Sequence, residues 1–98
     1  MQVVWTDPAL ECVGEVAVFI AQDDPDAAER WTAQLFDAVE RLADFPESGR
    51  MVPELGARDV RELILGAYRV FYRLRSAVEV LSVRHGSRLL RPDELRGD

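Results

Sequence analysis

The chain has 98 residues, of which 48% are hydrophobic and 31% charged, a composition typical of one globular domain (1–98) and not of a disordered tail or a coiled coil. The net charge is −6 and all 12 basic residues are arginine, and this acidic average argues against a general nucleic-acid binder. The apolar runs are too short to span a bilayer, no signal peptide is visible and Cys12 is the only cysteine. We therefore expect a cytoplasmic protein without membrane contact, disulfide or cysteine-bound zinc.

The N-terminal half predicts a short strand at 2–5 followed by two amphipathic helices. Asp7-Pro8 and Asp24-Pro25 each resemble a helix cap followed by a proline in the first turn. Apolar residues then recur at spacings of three and four, which is the period of one helical face. These residues are Leu10, Val13, Val16 and Ile20 in the first helix, and Ala28, Trp31, Leu35, Ala38, Leu42 and Phe45 in the second, which Pro46 ends. The short link between them predicts an antiparallel helical hairpin.

The period changes to two in the C-terminal half, after a predicted loop at 46–59 that is rich in proline and glycine. Strands are predicted at 60–65, 68–74 and 78–84. Along the second of these, Val70, Tyr72 and Leu74 share one face, and Arg69, Phe71 and Arg73 the other. The predicted fold is α+β: an N-terminal strand and an antiparallel two-helix hairpin packed on a three- to four-stranded antiparallel sheet.

The charge is divided unevenly between the two halves. Residues 1–49 hold two arginines against eleven acidic residues, and residues 50–98 hold ten arginines against seven. The sequence thus predicts an acidic helical layer and a basic sheet layer. The arginines could simply solvate the outer face of the sheet, or they could recognise phosphate or an acidic partner, for which the forked guanidinium group is well suited.

Six short motifs run through the chain: WTDPA at 5–9, DPDAA at 24–28, LADFPESGR at 42–50, VREL at 60–63, YRVFYR at 68–73 and VRHGSR at 83–88. In this order and spacing the sequence resembles the RelE/ParE superfamily of toxins from type II toxin–antitoxin modules, above all its ParE-like, plasmid-stabilisation branch. The resemblance implies a cytoplasmic bacterial toxin. It also implies a cognate antitoxin, expected to be of the ribbon-helix-helix type and encoded beside it, which neutralises the toxin in a hetero-oligomer.

The resemblance leaves the target open between DNA gyrase and the ribosome with its mRNA. A gyrase inhibitor needs no hydrolytic chemistry, and its target-binding residues would be the arginines of the sheet and the C-terminal segment, Arg61, Arg73, Arg84 and Arg88. A ribosome-dependent mRNA endoribonuclease would use Arg69 for the phosphate, His85 as acid or base and Glu54 as general base. A non-toxic decoy homologue is the third alternative.

Two departures from the nuclease pattern weaken the nuclease interpretation. The basic loop lysines of that branch are missing, and the chain ends Leu95-Arg96-Gly97-Asp98 where the nucleases carry a catalytic tyrosine. His85 could, instead of acting as an acid or base, simply end the strand and form local hydrogen bonds. The lone Cys12 is interpreted as a packing residue.

The apolar helix stripes are expected to contact the antitoxin through Val13, Ile20, Trp31 and Leu35, although Trp31 at the centre of its stripe is more typical of a core residue. Phosphate loops and metal-ligand spacings are not found in the sequence, so no cofactor and no metal site is expected.

Overall fold

The computed structural model describes residues 1–56 and 59–86. Its elements are β1 (Val3–Trp5), α1 (Asp7–Ala21), α2 (Pro25–Glu40), a 3-10 turn (Arg41–Ala43), β2 (Arg50–Met51), β3 (Val60–Leu65), β4 (Tyr68–Leu74) and β5 (Val78–His85). The five strands form one sheet in the order β1-β5-β4-β3-β2. β1 runs parallel to β5, and the other pairs are antiparallel. The predicted α+β class is confirmed, with the hairpin packed on the sheet.

The sheet has more strands than the sequence predicts and is mixed, not purely antiparallel. β2 lies inside the predicted loop, where two residues pair with β3 through Arg50 with Glu62 and Met51 with Arg61. A strand of two residues is too short to show an alternating pattern, and it is defined only by its pairing with the neighbouring strand.

Among the described residues neither helix is long and apolar enough to cross a bilayer.

The helix boundaries agree with the sequence in one case and differ in two. Asp24 caps α2 as predicted, its Oδ1 accepting from the backbone N–H of Asp26 and Ala27. α1 is capped by Thr6 and not by Asp7, since the Thr6 hydroxyl accepts from the backbone N–H of Ala9 and donates to the carbonyl of Val80. The hydroxyl therefore also anchors the start of α1 to β5.

The second difference is the end of α2, which tightens into the 3-10 turn after Glu40 instead of running to Pro46. A 3-10 turn has about 3.0 residues per turn, whereas an α-helix has about 3.6. Residues beyond this turn therefore no longer fall on the face that the apolar stripe predicts. Leu42 stays buried, but Phe45 is 65% exposed.

Apolar side chains are buried on both faces of the sheet. The helix-side face carries the larger core, in which Val13, Trp31, Leu35, Val39 and Leu42 pack on Val70, Tyr72, Val78, Val80 and Val83. The outer face, turned away from the helices, carries a smaller cluster of Val52, Val60, Phe71 and Leu81. Leu81 reaches it through a bulge, because Phe71 pairs with Ser82 and Tyr72 with Val80, which leaves Leu81 as the extra residue.

The hydroxyl of Tyr72 ties the loop before β2 to the sheet. It donates to the carbonyl of Pro46 at 2.8 Å and accepts from the backbone N–H of Gly49 at 2.9 Å. Burial raises the pKa of Tyr72 above its ordinary value. Arg61 adds a second tie, its Nη1 donating to the carbonyl of Gly49 at 2.8 Å.

Gly49 has no room for a side chain beneath this tie. A Cβ there would lie 2.7 Å from both the carbonyl oxygen of Glu62 and Cε1 of Tyr72. We expect Gly49→Ala to lower the free energy of unfolding, measured by urea denaturation, by about 1–3 kcal/mol. Gly14 is the matched control: it is exposed in α1 with nothing near its Cβ position, so Gly14→Ala should stabilise by about 0.5–1 kcal/mol. Equal effects at the two positions would contradict the clash.

Candidate functional site

A cluster of two arginines and two carboxylates lies on the outer face of the sheet; we call Arg50, Glu54, Glu62 and Arg69 the Arg69 network. Side chains alternate along β3 and β4, and their register pairs Glu62 with Phe71 and Ile64 with Arg69. Glu62 and Arg69 are thus diagonal neighbours on one face. Glu54 reaches the same guanidinium from the turn after β2, and Arg50 lies beside Glu62 from β2 itself.

Arg69 is held between two carboxylates. Its Nε and Nη2 donate to Glu62 at 2.6 and 3.0 Å, and its Nη1 and Nη2 donate to Glu54 at 2.7 and 2.8 Å. These two-point contacts are the strongest geometry available to an arginine–carboxylate pair. Arg50 Nε lies 3.3 Å from the second oxygen of Glu62, so within the four residues of the network two positive groups face two negative ones.

The centre of the network, Arg69 with Glu62, is buried, which makes this pairing necessary. Arg69 is 7% exposed and Glu62 is 1% exposed, and a buried charge without a partner is costly. The guanidinium also lies 4.9 Å from the centroid of the Phe71 ring. Hydrogen bonds to Glu54, and then those to Glu62, hold the pKa of Arg69 above its ordinary value. Arg69 is therefore a fixed cation whose donors face the two carboxylates.

His85 lies on the other side of the sheet from this network. The β4–β5 register pairs His85 with Tyr68 and Arg84 with Arg69, and successive residues point to opposite faces. Tyr68 packs on Trp31 of the helix-side core, with ring centroids 5.3 Å apart, and the Tyr68 and His85 rings are nearly perpendicular, with centroids 5.5 Å apart. The three residues expected for a nuclease are thus divided: Glu54 and Arg69 pair directly, and His85 is apart from them.

A cavity of about 490 Å³ opens beside His85, between α1 and the end of β5. Its lining includes Cys12, Phe19, Tyr68, Arg84 and His85. The Cys12 sulfur lies 3.7 Å from the Ser82 hydroxyl, within hydrogen-bonding distance, and Cys12 packs partly buried against the helix-side core. Among the residues that the structure describes, no group of three or more His, Cys, Asp or Glu side chains could hold a metal ion.

Three of the four arginines expected to bind the target have internal contacts. Arg61 donates to backbone carbonyls, Arg73 Nε lies 3.5 Å from Asp59, and Arg84 Nε donates to the Ser82 hydroxyl at 3.1 Å. Arg88 lies outside the described residues. All eleven acidic residues of the first 49 positions are exposed. The acidic charge of the helical layer therefore lies on the surface of the protein. Much of the arginine charge of the sheet is instead paired with carboxylates of the same chain.

The residues expected to contact an antitoxin are mostly core residues. Val13, Trp31 and Leu35 are buried against the sheet of their own chain, which confirms the core interpretation of Trp31 and leaves these side chains almost no surface to offer a partner. Ile20 is partly buried against the same cluster. The exposed apolar side chains of α1 are Leu10, Val18 and Phe19. A period of three and four indicates which face is apolar but not whether the chain's own sheet already covers it.

Glu62 is the site residue that the sequence argument missed. It stands in a strand with Arg61 on one side and apolar residues on the other, where a glutamate is ordinarily solvated. The available signal was the period of two in 60–65 and 68–74, which permits Glu62 and Arg69 to share a face once the register of the two strands is known.

The sequence matches, over residues 3–90, the family profile described as the ParE toxin of the type II toxin–antitoxin system parDE. The chain belongs to the ParE toxin family. It is 41% identical over 83 residues to Y4kP, a candidate toxin of Sinorhizobium fredii, covering 83% of each chain. It is 36% identical over 90 residues to Toxin RelE2 of Caulobacter vibrioides, covering 90% of this chain and 98% of that one.

The fold of this ParE-family toxin is also that of a solved structure described as the chromosomal ParDE toxin–antitoxin system from P. aeruginosa. The TM-score is 0.71, with 87% of this chain and 95% of that chain covered and 18% sequence identity, a level that supports the shared fold alone. The family expected from the six sequence motifs is thus confirmed, and the protein is a toxin of a type II toxin–antitoxin system.

Proposed function

We propose that this ParE-family toxin inhibits DNA gyrase by binding it, without catalysing a reaction, and that a cognate antitoxin encoded beside it neutralises it in a cytoplasmic hetero-oligomer. Membership of the ParE family supports the toxin part of this proposal. The arrangement of the candidate catalytic residues supports the binding mode of action.

The observation that carries the proposal is the division of the nuclease candidates between the two faces of the sheet. Metal-free cleavage of RNA needs a base, a cation and an acid around one phosphate. The cation, Arg69, has its donors directed at Glu54 and Glu62, and Glu54 is itself bound in that pair. His85 lies on the opposite face, beside Tyr68. A phosphate that reached Arg69 would be screened from His85 by the sheet.

For the target-binding surface we propose the arginines at the ends of the sheet, Arg73, Arg84 and Arg61, together with Arg88. Arg73 lies near the end of β4 and Arg84 near the end of the antiparallel strand β5, so these two partly exposed side chains lie at opposite ends of the sheet. For the antitoxin we propose the exposed apolar side chains next to Ile20 on α1, because Val13, Trp31 and Leu35 are covered by their own sheet. A partner that covers Phe19 and Val18 would bury apolar area that the isolated toxin leaves in water.

Induction of the toxin without its antitoxin tests the proposal in cells. Gyrase inhibition should give filamentous cells and DNA-damage signalling, and purified toxin should inhibit supercoiling by purified gyrase. Arrested translation with cleaved mRNA would instead support the alternative, a ribosome-dependent endoribonuclease. Growth without any defect would favour the non-toxic decoy.

His85→Ala separates binding from catalysis at a single residue. Since a general acid or base contributes about 10²–10⁴ in rate, a nuclease that used His85 would lose activity by that factor, whereas we expect gyrase inhibition within about twofold of the parent protein. Toxicity after induction and supercoiling in vitro are the two readouts. Thermal unfolding of the variant is the control, because His85 also contacts the Tyr68 ring. Loss of toxicity in a stably folded variant would contradict the binding mode of action.

A further inference from the structure

The two carboxylates that hold Arg69 differ in what fixes them in place. Glu62 belongs to β3, which pairs with β4 along its whole length, and its side chain is fully buried. Glu54 belongs to the turn at 53–56, and its side chain is 23% exposed. The backbone N–H groups of Leu55 and Gly56 both donate to the carbonyl of Val52, so these bonds lie within the turn and do not tie it to the sheet. Packing of Val52 and Leu55 and the bonds of the Glu54 carboxylate to Arg69 contribute to holding the turn against the outer face.

The edge of Arg69 that Glu54 occupies is the edge that an external anion would use. Nη1 and Nη2 point at Glu54, while Nε and the other side of Nη2 point at Glu62. A guanidinium edge with two parallel N–H donors matches a carboxylate or a phosphate in a two-point contact. Glu54 thus fills, from within the chain, a position whose geometry suits an oxyanion ligand.

Charge favours a carboxylate over a phosphate at this position. Arg50 and Arg69 balance Glu54 and Glu62, so exchanging Glu54 for another single carboxylate leaves the network neutral. A phosphate dianion would add a negative charge beside Glu62, which is buried and cannot turn to water.

Solvent reaches this edge through a cavity of about 320 Å³. It is lined by Arg50, Glu54 and Arg69 on the charged side, and by Ile64, Gly66 and Gly86 on the other. The glycines stand where the β3–β4 turn meets the end of β5, and Gly66 adopts a φ of +58° that other residues rarely take. Because neither glycine carries a side chain, an acidic side chain from a second protein has room to approach Arg69 from this direction.

We propose that the Nη edge of Arg69 is a recognition site for a carboxylate side chain of a protein partner, and that Glu54 occupies the site as an internal substitute until a partner displaces it. An internal occupant raises the apparent Kd of an external ligand to the intrinsic Kd divided by the fraction of time that the site is vacant. Partner binding is then coupled to movement of the turn at 53–56. In this arrangement Glu54 competes with a ligand and does not act as a base. The site is independent of whether the toxin acts on gyrase.

Chemical rescue tests the site with sodium acetate as the probe. Glu54→Ala removes the internal carboxylate, and the Arg69 Nε–Hε resonance in ¹⁵N-resolved NMR spectra reports on its replacement. We expect acetate to shift this resonance saturably, with an apparent Kd about tenfold or more below that of the parent protein. Glu47→Ala is the matched control, since it removes one exposed glutamate from the preceding loop, and it should behave as the parent. Sodium chloride at equal ionic strength controls for screening.

Four outcomes would overturn the proposal. Equal shifts with acetate and chloride would indicate screening alone. Tighter binding of inorganic phosphate than of acetate to Glu54→Ala would indicate a phosphate site. No difference in acetate affinity between Glu54→Ala and Glu47→Ala would show that Glu54 does not compete. If Glu54→Ala does not fold, the parent protein decides: amide exchange at Leu55 and Gly56 should accelerate in acetate relative to chloride, and unchanged exchange would overturn displacement of the turn.

Discussion

Replacing Arg69 by methionine should lower the free energy of unfolding by about 3–5 kcal/mol, as measured by chemical denaturation. Methionine keeps much of the apolar length of the side chain, so the variant removes the charge with little change in packing. Glu62 then stays buried, and the Arg50 guanidinium that lies 3.3 Å from it belongs to a side chain that is 60% exposed. A buried carboxylate that has lost its close partner carries most of the penalty.

A double variant distinguishes this cause from a simple loss of contacts. If the cost comes from the uncompensated charge of Glu62, then Arg69→Met combined with Glu62→Leu should recover a large part of the stability, because apolar replacement of a whole buried pair is often neutral or favourable. Arg75→Met is the matched single control, since Arg75 is exposed in the turn between β4 and β5, and we expect a change within about 0.5 kcal/mol. A loss at Arg69 as small as that at Arg75 would show that Arg50 alone compensates Glu62.

Local sequence patterns were sufficient to predict the strands whose own residues alternate between apolar and polar. The strands at 60–65 and 68–74 have the bounds that the period of two predicts, and β5 extends only one residue beyond its predicted end. The predicted division of faces along β4 is confirmed, with Tyr72 in the helix-side core and Phe71 in the outer cluster. In each case the determinant is alternation within one segment, which a single sequence displays directly.

Features set by contacts between distant segments could not be predicted in this way. β2 exists because β3 pairs with it, the bulge at Leu81 depends on the register of β4 and β5, and the parallel orientation of β1 depends on its partner. The same limit applies to the site. The family resemblance drew attention to Glu54, Arg69 and His85, but only the register reveals that Arg69 faces Glu62 while His85 faces the helices.

The distribution of charge shows most clearly what cannot be predicted without the fold. The sequence predicts an acidic helical layer and a basic sheet, and the acidic residues of the first half are indeed exposed. The arginines of the sheet, however, are largely paired, with Arg69 held by two carboxylates and Arg73 close to Asp59. Counting charges by segment locates them along the chain, whereas only the fold determines which of them remain available to a partner.

Leu35→Ala should produce the second large effect, a loss of about 3–5 kcal/mol in the free energy of unfolding of the isolated toxin. Leu35 is fully buried at the centre of α2, in the same cluster as Trp31 and Val39 and the sheet residues Val70 and Val80. Removal of its terminal isopropyl group leaves a cavity between helix and sheet that surrounding side chains can only partly fill. The measurement is urea denaturation followed by far-UV circular dichroism.

Leu10→Ala is the control that makes the Leu35 result informative about the antitoxin. It deletes the same atoms from a helix of the same hairpin, but Leu10 is 46% exposed, so we expect a loss below about 1 kcal/mol. If the contact that the antitoxin makes with Val18 and Phe19 extends along α1 to Leu10, then Leu10→Ala should weaken antitoxin binding more than Leu35→Ala does. An isolated Leu35→Ala protein as stable as Leu10→Ala would place Leu35 outside the core and restore it as an antitoxin contact.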